Sequence, residues 1–152
     1  MAESRQSMTE TDLIRFVNAQ DRIYTQVVAE LTDGCKRTHW MWFIFPQIAG
    51  LGRSPMAQRY AIHDLDHARR YLADPILGPR LREVVRLMIG HRGKTALEIL
   101  GSPDDLKLRS CLTLFREAAS EQSDRELFTR ALEQFYRGES DTLTLELLSC
   151  ES

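Results

Sequence analysis

The sequence predicts an all-α protein, a compact single-domain bundle of about six to eight helices, and three observations carry that prediction. Apolar residues recur at three- and four-residue steps in one segment after another. Glycines, prolines and Ser/Thr/Asp caps fall between those segments, where helices need to start and stop. No segment alternates with period two, so nothing in the chain offers a strand a partner.

Residues 1–10 are rich in Ser, Thr and Glu and read as a flexible tail, leaving residues 11–152 as the domain. A first helix starts at Thr9 or Thr11, and Leu13, Phe16, Val17, Gln20, Tyr24, Val27, Val28 and Leu31 form its apolar stripe. Gly34 stands where a left-handed glycine ends such a helix. His39–Phe45 fits a buried helix or a buried strand, and a helix is favoured because no strand partner is evident; Pro46 ends either one. Residues 47–55, with two glycines and a Ser-Pro, read as a loop.

Punctuation marks the remaining helices. Asp64 caps one through Tyr71, with Leu65, Ala68 and Leu72 inward. Asp74-Pro75 opens the next, whose core side is Leu77, Leu81, Val84, Val85, Met88 and Ile89, closing near Gly90 or Gly93. A short one spans Thr95–Leu100 and stops at Gly101. Ser102-Pro103-Asp104-Asp105 combines a cap, a proline at the first position and acids in the first turn. Ser123 or Asp124 caps a helix carrying Phe128, Leu132 and Phe135 that ends at Gly138, and Asp141 starts the last, through Leu148.

Composition bounds the function. At 152 residues, with 43% hydrophobic and 28% charged residues, the chain is an ordinary globular domain. A net charge of −2 argues against nucleic acid as a partner, which would call for a basic stripe. The longest apolar run, Trp40–Phe45, is too short to span a bilayer, so no membrane partner is expected. Cys35, Cys111 and Cys150 lack a CxxC spacing and point to reduced thiols in the cytoplasm.

The most informative stretch is KRTHWMWFIFPQIAGLGRSP, residues 36–55. It holds both tryptophans, one of four histidines, a Gly-rich turn and a basic dipeptide. On a helix, residues two apart point roughly 200° apart, so one indole packs inward while the other lines a cleft. The loop Gly50-Leu51-Gly52-Arg53-Ser54 has the small residues and backbone donors that wrap a phosphate, although neither GxGxxG nor a Walker motif is present. His63 and His67, at i and i+4, have the spacing of a zinc pair, but the neighbouring acid is Asp and no third ligand is evident; a solvated helix face is the commoner outcome, and no metal is expected. Cys35 and His39 have the spacing of a thiol–imidazole pair beside Lys36 and Arg37, against the commoner reading of Cys35 as a small packed residue. Arg80, Arg82, Arg86, Arg92 and Lys94 cluster, mostly as a solvated face, with Arg80 best placed to reach a cleft.

The run KRTHWMWFIFPQIAGLGRSP, with YLADPILGPRL and GSPDDLKLRSCLTLF, resembles a family of small bacterial proteins catalogued as domain-of-unknown-function family 1810, some members of which carry the label calpastatin in error. The likeness covers roughly residues 12–148 and implies a helical fold without an assigned activity. It marks Gln20 and Tyr24; Lys36, His39, Trp40, Trp42, Gln47, Gly50, Gly52 and Ser54; Tyr60; Leu77, Gly78, Arg80 and Leu81; Asp104, Lys107, Ser110, Thr113 and Phe115; and Asp141 with Thr144. His63, His67 and Cys35 lie off the pattern, and Asp74 stands where the pattern often has His.

Together these readings lead to one expectation. Lys36, Trp40, Trp42, Gln47, Gly50, Gly52, Ser54, Arg80, Lys107, Ser110 and Thr113 gather into a pocket for a small anionic or nucleotide-like ligand, with His39 as general acid or base. Two alternatives stand beside it. The polar set is a hydrogen-bonded network that fixes helix packing, or the aromatic signature docks a protein partner without catalysis.

Overall fold

The structure is a computed structural model, and it describes residues 13–150. Among these, ten helices follow one another: α1 (13–21), α2 (Tyr24–Asp33), α3 (Met41–Ile44), α4 (Pro55–Arg59), α5 (Leu65–Ala73), α6 (Leu77–Ile89), α7 (Ala96–Leu100), α8 (Asp104–Ala118), α9 (Gln122–Tyr136) and α10 (Thr142–Cys150). The all-α expectation holds, and the count of six to eight is too low. Residues 1–10 and the expected start at Thr9 or Thr11 lie outside the described residues.

Two of the extra helices have simple origins. The stripe from Leu13 to Leu31 is not one helix, because the chain turns at Arg22 and Ile23 between α1 and α2. Ile23 leaves helical geometry at φ −135° while its amide still bonds to the Gln20 carbonyl at 3.0 Å. The expected loop at 47–55 ends in α4, where Ser54 accepts from the Ala57 amide at 3.1 Å and Pro55 takes the first position.

Most of the punctuation falls where the sequence puts it. Gly34 closes α2 at φ 72°, Asp64 caps α5 by accepting from the His67 amide at 2.8 Å, and Thr95 with Glu98 forms a capping box on α7. Two starts differ. Pro103, not Ser102, precedes α8, and no side chain caps it. Glu121 precedes α9, so Ser123 and Asp124 lie inside its first turn; Asp124 is buried there and receives a two-pronged hydrogen bond from Arg82 at 2.7 and 2.9 Å.

The long helix α8 is the hub. It packs against α5, α7, α9 and α10, and α6 completes the bundle against α2, α5 and α9. Leu108, Cys111, Leu112, Leu114, Phe115 and Ala118 of α8 are all buried, a stripe too wide for a helix with one solvent face. The residues after α3 are braced without a sheet. The Ala49 amide bonds to the Ile62 carbonyl at 2.8 Å and the Ile62 amide to the Gln47 carbonyl at 2.9 Å, a single parallel bridge between Ile48 and Ile62.

Candidate functional site

The two tryptophans separate, although not through the helical spacing expected of them, since Trp40 has φ −144° and lies outside α3. Trp40, just before α3, is fully buried, whereas Trp42 on α3 is half-buried. Trp40 is fixed by Glu30, a buried carboxylate that accepts its indole N–H at 3.0 Å. The same carboxylate accepts from the Arg37 and Thr38 amides at 2.7 and 3.1 Å, the Thr38 hydroxyl at 2.7 Å and the Gln26 amide at 2.8 Å. Burial alone would raise its pKa; these donors overcome that and hold it at about 2. Sequence reasoning passed over Glu30. Its signal was there, since it sits one turn beyond Val27 on the apolar side of α2, where a carboxylate needs a purpose.

Lys36, in the segment after α2, and Lys107, on α8, each lie near one tryptophan. Asp104 binds both, at 3.0 Å to Lys36 and 3.7 Å to Lys107. The Lys36 ammonium lies 5.2 Å from the Trp40 ring centre and that of Lys107 lies 5.9 Å from the Trp42 ring centre. These two cations therefore already have a carboxylate partner.

On its other side Trp42 faces a cavity of about 130 Å³. Gln47, Gly50 and Gly52 line it with Trp42, and so do Tyr60 and His63. The loop that forms its wall has no room for larger side chains. Gly50 has φ 102° and a Cβ there would lie 3.3 Å from the Leu147 side chain of α10; a Cβ on Gly52 would lie 2.5 Å from that of Ala57 on α4. His63 stacks on His67 with ring centres 4.8 Å apart, and its backbone amide donates to Nδ1 of His67 at 2.9 Å. Among the described residues no three His, Cys, Asp or Glu side chains gather as a metal site.

The remaining predicted residues lie outside this lining. His39 is exposed, and Ser54 is spent on capping α4. Arg80 faces α1 and α2: it pairs with Asp21 at 2.9 Å, reaches Gln20 at 3.4 Å and lies over the Tyr24 ring at 4.8 Å. Its link to the signature is indirect, through Gln20, which donates to the Phe43 carbonyl at 2.7 Å and to the Tyr71 hydroxyl at 3.0 Å. Ser110 and Thr113 return hydrogen bonds to their own helix, and the Thr113 hydroxyl also accepts from the Asp141 amide at 2.9 Å. Asp141 in turn caps α10 by accepting from the Thr144 amide and hydroxyl. The polar signature thus divides into a cavity wall and a set of packing ties.

A family profile described as "Protein of unknown function (DUF1810)" matches residues 10–148. The chain belongs to this family. It is also similar to a solved structure, the conserved hypothetical protein Rv1873 from Mycobacterium tuberculosis, at 48% identity and a TM-score of 0.87; the match covers 91% of this chain and 96% of that one. No curated protein matches it. Among the described residues no helix is long and apolar enough to cross a membrane.

Proposed function

We propose that this protein binds a small nucleotide-like ligand and seats its planar ring in the cavity beside Trp42. The observation that carries the reading is the cavity itself, because residues scattered from 42 to 63 converge on a space of one ring's size. At about 130 Å³ it is close to the roughly 150 Å³ engineered cavity that takes up benzene. Unlike that cavity, this one is partly polar. Trp42 and Tyr60 offer aromatic surface for stacking, and the Gln47 amide carries both a donor and an acceptor for the edge of a heteroaromatic ring. An acid or base acting on such a ligand would come from the cavity wall, which makes His63, before His39, the imidazole to replace first.

The docking-surface alternative has less support. Trp40 is fully buried and Trp42 half-buried, and the exposed large apolar residues Ile14, Ile76, Leu97, Leu106 and Leu143 sit on five different segments. The test is a titration of tryptophan fluorescence with nucleobases and nucleosides. Quenching by a subset of the panel is expected, and Trp42→Phe should remove it while Trp40 continues to emit. Gln47→Leu should weaken binding about tenfold, the loss of one hydrogen bond, with the melting temperature unchanged. A spectrum indifferent to every member of the panel overturns the reading.

A further inference from the structure

The cavity beside Trp42 is held at its size from several directions. Ile48 and Tyr60 are its buried floor, and it opens where Gly50, Gly52, Gln58 and His63 are exposed. Two stretches of its wall, 47–49 and 61–63, are bonded to each other. The Ala49 amide donates to the Ile62 carbonyl at 2.8 Å, and the Ile62 amide to the Gln47 carbonyl at 2.9 Å. The Gln58 side-chain amide donates to the Arg53 carbonyl at 2.9 Å and ties α4 to the loop. At Gly50 and Gly52 the loop already lies against Leu147 of α10 and Ala57 of α4, which a Cβ would meet at 3.3 and 2.5 Å.

A braced volume of about 130 Å³ selects by size. Pockets that bury drug-sized ligands run to roughly 300–1,000 Å³. A cavity of about 150 Å³ takes up benzene, a single ring. A purine carries a second ring fused to the first, and extra atoms forced into a packed site must displace side chains and backbone. Here that displacement would break the bonds at Ile62 or drive the loop into α4 or α10. A pyrimidine needs neither, and its sugar leaves through the exposed mouth. The nitrogen of the Gln58 amide is spent on Arg53, which leaves the Gln47 amide, with its donor and its acceptor, for the edge of the ring.

We infer that the ligand's ring is a monocyclic heteroaromatic of the pyrimidine class, and that the cavity excludes the fused rings of purines. The inference rests on the cavity reading proposed above and names the class of ring that the site takes. Ile48 is the residue that sets the limit, because it is the buried aliphatic side chain of the floor and belongs to the bonded stretch 47–49.

The experiment titrates the full chain with uridine, cytidine, adenosine and guanosine by calorimetry, which registers binding whether or not Trp42 is quenched. Saturable binding of at least one pyrimidine nucleoside is expected, with both purine nucleosides about tenfold weaker or more. Ile48→Ala removes about as many carbons as the second ring adds, and should raise the purine-to-pyrimidine affinity ratio by about tenfold. Because Ile48 is buried and its truncation costs stability, Ile48→Val is the second variant; it should raise the same ratio by less while the protein stays folded. A purine nucleoside bound as tightly as either pyrimidine overturns the inference and leaves the cavity reading standing. So does a ratio that stays constant in a folded Ile48 variant, since the selectivity would then come from something other than the size of the cavity. Silence from all four nucleosides removes the cavity reading itself, and the inference with it.

Discussion

Five hydrogen bonds converge on the Glu30 carboxylate, and four of them come from the Arg37 amide, the Thr38 amide and hydroxyl, and the Gln26 amide one turn back on α2. The fifth is the Trp40 indole, so the placement of the signature depends on Glu30 being ionised. A carboxylate whose folded pKa lies below its unfolded value adds stability that is present above the unfolded value and lost as pH falls through the folded one. For Glu30 that window runs from 4.5 down to about 2, and the contribution is about 3 kcal/mol. Glu30→Gln should therefore cost roughly 2–4 kcal/mol at neutral pH, because the amide presents a donor where donors already converge. It should also flatten the fall in stability below pH 4.5, measured by urea unfolding across the acid range. An acid limb as steep as the parent's would show that the loss belongs to other carboxylates.

Among the elements, α4 shows both what the sequence discloses and what it conceals. Ser54-Pro55 is a plain helix start, yet five residues are too few for an apolar period, and the segment reads as loop. The break between α1 and α2 is hidden for a different reason. Neither glycine nor proline marks it, and the stripe keeps its phase on both sides, so the local sequence does not disclose the turn at Arg22 and Ile23. Asp124 misleads in the same way: acids early in a helix are ordinary caps, and its actual partner, Arg82, is 42 residues away. Trp42, Gln47, Gly50 and Gly52 were legible as cavity residues because they are close in sequence. His63 was not, since it comes from a separate segment. Because α4 closes the cavity against Gly52, Gly52→Ala tests the element directly. The added methyl would lie 2.5 Å from Ala57 and must push α4 outward, at a cost of about 1–3 kcal/mol. The expected readout is a lower melting temperature together with a shift in Trp42 emission; an unchanged emission maximum would mean that α4 does not hold the cavity's shape.

The three thiols report on the cohesion of the whole bundle, because they sit at different depths. Cys35 follows α2 and Cys150 ends α10, and both are exposed. Cys111 lies in the middle of α8, the helix that meets α5, α7, α9 and α10, and is fully buried. Burial pushes its pKa up, so the reactive thiolate is suppressed as well as shielded. The helix that carries it packs against four others, so exposing it means separating the core. Ellman's reagent should accordingly titrate two thiols at once and the third only through global opening. The slow rate should rise with denaturant along the slope expected for complete unfolding, while the two fast rates stay flat. A third thiol that reacted with a shallow dependence would instead place a local opening at α8, and the bundle would then consist of two cooperative units divided along that helix.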